Sequence, residues 1–146
     1  MKRPRLLICL SILLVLSIAL NCFLLFKYDT SDLGIYLARP LSFEEDGSIA
    51  SSYTISLENR EQTEIILLSF LNAQPIPEEE APTALPDGAI MVRYQGTAYP
   101  YRIWFHDDHI IIANSSNTYR KIQNDHNNPV PLIRELIESI DVTLPG

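Results

Sequence analysis

The chain has 146 residues, 47% hydrophobic and 20% charged, with 11 basic against 18 acidic side chains and a net charge of -7. That length allows one ordinary domain core. The acidic balance, with a pI near 4.8, excludes a nucleic-acid binder held by a general basic field. A mean hydropathy of +0.05 is high for a charged globular chain, so the apolar residues must be concentrated somewhere.

They are concentrated at the N-terminus. Residues 6–26 read LLICLSILLVLSIALNCFLLF, with only Ser11, Ser17 and Asn21 polar and no charge. A helix of that length runs about 32 Å, enough to cross a hydrocarbon core of roughly 30 Å with its backbone polar groups satisfied internally. Lys2, Arg3 and Arg5 precede the segment, and Asp29 and Asp32 follow Lys27. The positive-inside rule then predicts a single-pass anchor (1–27) with a cytoplasmic N-terminus, a bilayer contact from Leu6 to Phe26, and an external remainder at the cell membrane. A cleaved signal peptide would need a shorter apolar core and a small-x-small site; Ser17-Ile18-Ala19 is the near match. Lipidation at Cys22 would need small residues before it, where Leu20 and Asn21 stand. Cys9 and Cys22 are about 20 Å apart along such a helix and cannot bridge within it. The external part therefore has no disulfide and relies on its apolar core.

Beyond Lys27 the chain holds 7 basic and 18 acidic residues, a net of -11, because Lys2, Arg3, Arg5 and Lys27 account for the other four basic side chains. Residues 28–50 read as a tether with a short edge strand around Leu33 to Leu37, then Pro40 and the turn-like Glu44-Glu45-Asp46-Gly47. The domain proper is expected over 51–146. Its first strand, 53–58, alternates Tyr53, Ile55 and Leu57 inward. Asn59 then caps a helix over 60–73, with Gln62 as a capping-box partner and Ile65, Ile66, Leu68, Phe70 and Leu71 as its apolar face.

Four prolines between Gln74 and Gly88 forbid a continuous helix or central strand and predict a solvated loop carrying Glu78-Glu79-Glu80. Strands follow over 89–94 and 99–105, the second with Pro100 marking an edge or a strand start. His106-Asp107-Asp108-His109 reverses the chain into 110–113, and residues 118–122 offer a further hairpin strand. Pro129 and Pro131 fit only the first turn of a last helix, lined by Leu132, Ile133, Leu136, Ile137 and Ile140. The order after the transmembrane helix is β-α-β-β-β-(β)-α. This is an α+β domain with a mainly antiparallel sheet and two helices. In that order, and in its aromatic Tyr101-Arg102-Ile103-Trp104 strand before a late Tyr119, residues 50–140 resemble small membrane- or lipid-anchored sheet-and-helix domains of Gram-positive bacteria. The resemblance implies an envelope location and no known chemistry.

Two polar groupings qualify as sites. His106 and His109 would face each other across a tight hairpin, and with Asp108 they form a candidate metal-ligand set. Arg102, Trp104 and His106 share one predicted sheet face; Trp and Arg are frequent anchors of interfaces, so this is a candidate partner-binding face. No nucleophile elbow, phosphate-binding glycine loop or external cysteine occurs, which predicts a non-catalytic protein without a cofactor. The expected function is to bind or modulate a partner protein in the cell envelope. The alternatives are a metal- or small-ligand-binding envelope sensor, and a cleaved or lipidated secreted domain.

Overall fold

The computed structural model describes residues 3–27 and 33–140. Lys2, the start of the expected tether (28–32) and residues 141–146 lie outside them. The chain divides into two units, one ending at Asp32 and one beginning at Leu33.

The first unit is a single helix, α1 (Arg3–Lys27). Its described apolar side chains, over residues 7–23, are exposed, with Leu7, Leu13, Val15 and Phe23 each more than half accessible. Among the described residues no helix is long and apolar enough to cross a membrane. The side chains of α1 are described over residues 7–23 alone, so the span expected over 6–26 extends past them at both ends and is not established by the fold.

The second unit is an α+β domain built on one seven-stranded antiparallel sheet of order β2-β1-β4-β5-β6-β7-β3. Its described elements are β1 (Gly34–Phe43), β2 (Ile49–Leu57), α2 (Arg60–Leu71), β3 (Gln74–Pro75), β4 (Gly88–Tyr94), β5 (Thr97–Phe105), β6 (His109–Asn114), β7 (Tyr119–Gln123) and α3 (Pro129–Glu138), with a 3-10 turn at Glu78–Glu80. Residues 33–50 are therefore not a tether. Their strand is not an edge either, because β1 sits between β2 and β4, pairing Leu37 with both Ile55 and Ile90. The edge is β2, which explains why Ile55, expected inward, remains 38% exposed.

The prolines fit this arrangement by a local rule. Pro40 pairs with Ser52 of β2, but β4 leaves β1 at Ala38, so Pro40 needs no donor on that side. Pro100 pairs with Met91 of β4, and β6 joins β5 only from Tyr101 onward. Both residues occupy interior strands at points where one neighbour is missing.

One sheet face carries Ile35, Leu37, Ile90, Ile103, Ile110, Ile112 and Ile122, which pack against Ile66 of α2 and Val130, Ile133 and Ile137 of α3. Burying each such side chain contributes about 1.5–3 kcal/mol. The α2 helix starts at Asn59, whose side chain accepts from the Gln62 N–H at 3.1 Å. It seats Ile66 and Ser69 and leaves Leu68 and Leu71 exposed, narrower than the apolar face expected of it. The α3 helix crosses β4 at Gly88, where a methyl would sit 2.9 Å from Ile137 Cδ1. Its end is held by Arg39, which donates to the carbonyls of Glu138 and Ile140 at 3.0 and 3.1 Å; a cation suits that negative end of the helix dipole. The β4–β5 hairpin turns on Gln95 and Gly96, both at positive φ, as a two-residue turn requires.

Candidate functional site

The sheet face opposite the helices is covered in one half and open in the other. The covered half lies over Trp104, Ile111 and Ala113, packed with Ile76 and Tyr119. The proline-rich segment between β3 and β4 is responsible. Ile76 donates to the Tyr119 carbonyl at 3.3 Å, and the indole N–H of Trp104 donates to the Ala84 carbonyl at 2.8 Å. Pro86 is buried, and Asp87 binds β5 twice, through its N–H to Ile103 and its carboxylate from the Phe105 N–H, both at 2.8 Å. The expected solvated loop is thus a strap. Prolines suit it because few of its backbone donors find a strand partner.

The open half is organised by one rung of the sheet. Thr54, Ala38, Ala89, Arg102 and Ala113 are successive cross-strand partners, and side chains on one rung share a face. Three alanines keep that rung low, so the Arg102 side chain stands above its neighbours. The next rung, Tyr36, Met91 and Pro100, forms one wall. Asp46 and Ser48 of the β1–β2 loop, Ile49 at the start of β2, Asn114 at the end of β6 and Asn117 of the following turn form the other. Together they bound a groove of about 780 Å³.

Within the groove Arg102 donates to the Asn117 side chain, and its guanidinium lies 5.4 Å from the Trp104 ring centroid. Asp46 accepts from the hydroxyl and N–H of Ser48 at 2.6 and 2.9 Å. These bonds, and the charge of Arg102, hold its carboxyl below the ordinary value of 3.8. The floor is therefore small and apolar, with one oriented guanidinium that retains N–H donors beyond the one given to Asn117. Such a surface is suited to holding an extended chain or a carbonyl- or carboxylate-bearing group.

The candidate residues read from sequence divide accordingly. Arg102 stands in the groove. Trp104 is 5% exposed beneath the strap and is unavailable to a partner. His106 is exposed beyond the strap, so the expected triplet does not form one contact surface.

His106 and His109 do meet across the hairpin, with ring centroids 4.4 Å apart and planes inclined by 5°. Imidazole lone pairs lie in the ring plane, so two parallel stacked rings cannot direct nitrogens at one ion. Nδ1 of His109 is also occupied by Asp108 Oδ1 at 2.6 Å, a bond that holds the Asp108 carboxyl below its usual range. Among the described residues no group of three or more His, Cys, Asp or Glu could hold a metal ion. The expected site at His106, Asp108 and His109 is corrected to a stacked pair with a hydrogen-bonded carboxylate.

Tyr36, Ala38, Asp46, Ser48 and Asn117 were missed as site residues. Their only sequence signal was the alanine at matching strand positions, and that is readable only once the register is known. No family model, curated protein or solved structure matches the chain.

Proposed function

We propose that the protein is a single-pass, membrane-anchored extracytoplasmic protein whose α+β domain binds a partner in the cell envelope, without catalysis, through the groove at Arg102. The observation that carries this reading is the alanine rung itself, a low apolar floor with one held guanidinium. The anchor reading is supported by the uncharged apolar run over residues 6–26 and by the basic side chains that precede it.

The test places a photo-crosslinking amino acid at Met91, which is 38% exposed on the groove wall, in the full chain expressed in its own cells. A discrete adduct that disappears in Arg102→Ala is expected. No adduct, or one that survives Arg102→Ala, removes the groove from the reading. Extraction of the same membranes at alkaline pH should leave the chain in the pellet, and protease added outside intact cells should degrade the domain. A soluble or protected domain contradicts the anchor.

A further inference from the structure

The charges of the sheet are segregated by sign. None of its strands contains Asp or Glu, and between them they carry Arg39, Arg93, Arg102, Arg120 and Lys121. The described acidic residues lie in helices, turns and the strap, so a chain of net negative charge presents a basic sheet. Arg39 holds the end of α3, Arg120 lies opposite Ile112 on the helix side, and Lys121 lies opposite Ile111 and Gln74 in the covered half. Arg93 and Arg102 remain, both on the open face.

These two arginines are set in the same way. Arg102 stands between Ala89 and Ala113 as cross-strand neighbours, and Arg93 between Gly34 and Ala98. Arg93 is exposed and, among the described residues, forms no ion pair. Its partner Ala98 is two rungs from Arg102 along β5, which sets the two guanidinium-bearing positions about 13 Å apart along the strands. The rung midway between them is the apolar ridge of Tyr36, Met91 and Pro100. Tyr36 leans towards Arg93, its ring 3.0 Å from where a methyl at Gly34 would sit.

We propose that the partner bound at Arg102 is an acidic polypeptide segment, extended, with carboxylates four positions apart on Arg102 and Arg93 and an apolar side chain between them on the ridge. In an extended chain alternate side chains share one side, and positions four apart are separated by about 13 Å. That spacing matches both arginines and the ridge. An Arg fork suits a carboxylate, and Arg102 keeps donors beyond the one given to Asn117. Asp46, the acidic residue lining the groove, is tied into its own loop by Ser48. The ridge favours polypeptide over an anionic glycan or polyphosphate, which would satisfy the cations and leave Tyr36, Met91 and Pro100 wet. An apolar side chain there gains about 25 cal/mol per Å² removed from water.

This docking rests on the groove reading of Arg102, and the Met91 adduct tests it in the full chain in its own cells. Arg93→Glu should lower the adduct yield about tenfold at an unchanged melting temperature, and Arg93→Lys should retain most of it. Arg60→Glu, the same charge change at an exposed position on α2, should leave the yield unchanged. Fragmentation of the adduct should place the cross-link in a polypeptide with Asp or Glu two positions to either side. Equal yields in the natural and Arg93→Glu chains, an equal loss in Arg60→Glu, a captured segment without flanking acids, or a captured polymer that resists protease each overturn the proposal. An adduct that requires Arg102 but not Arg93 overturns it and leaves the groove reading intact, whereas no adduct in the natural chain removes both.

Discussion

The indole nitrogen of Trp104 and the carbonyl of Ala84 are 2.8 Å apart, and that bond pins the strap to the face of the sheet beside the groove. Trp104→Phe keeps much of the packing and removes the donor. The Ala84 carbonyl can rehydrate, so the cost is about 1 kcal/mol, read as a lower melting temperature with faster proteolysis confined to residues 76–86. Trp104→Ala also empties the pocket under the strap and should cost about 3–5 kcal/mol.

Gly88 is constrained by what crosses it. A methyl there would lie 2.9 and 3.0 Å from Cδ1 and Cγ2 of Ile137 and 3.3 Å from the Ala38 carbonyl. Gly88→Ala should therefore destabilise the domain by about 1–3 kcal/mol through overpacking. Ile137→Val removes the nearer methyl, so in denaturant unfolding the double variant should lose less than the sum of the two single changes. Strict additivity would show that α3 does not press on β4 at this point.

Arg39→Met retains the stem of the side chain and deletes the donors that meet Glu138 and Ile140. The expected loss is about 1 kcal/mol, concentrated in the last turn of α3. Amide exchange should accelerate there and remain unchanged in β4 to β7.

Acid should loosen the groove before it unfolds the sheet. The Asp46 carboxyl is held below 3.8 chiefly by Ser48, so its contribution is complete above that value and disappears as pH falls below it. The Ser48 amide, followed by NMR, should shift and lose protection in that window. Asp46→Asn should flatten the titration, and an unchanged Ser48 signal through the window would contradict this account.

Much of the fold is legible in the chain because its signals are local. Asn59 before an apolar helix and Pro129 opening the last helix each name their own structure. The readings that needed correction depended on distant neighbours. The run around Leu33 to Leu37 is short and is followed by Pro40, which resembles a tether until β4 is seen to end beside Ala38. The prolines after β3 resemble a solvated loop until Trp104 supplies the donor that ties them down. The site was half legible: Arg102 stood out by chemistry, whereas its alanine floor comes from three strands and has no signature in any one of them.

The placement of β1 also bears on how the chain folds. Strands β4 to β7 follow one another through short turns, as do β1 and β2, so most of the sheet can form from local hairpins. The seam between β1 and β4 is different, because joining Ala38 to Ala89 closes a long loop that contains the whole of α2. Loop-closure entropy must be met there before the contacts return it. Substitutions at this seam, such as Leu37→Ala or Ile90→Ala, would slow folding, whereas equal destabilisation within the β4–β5 turn would act on steps that precede it.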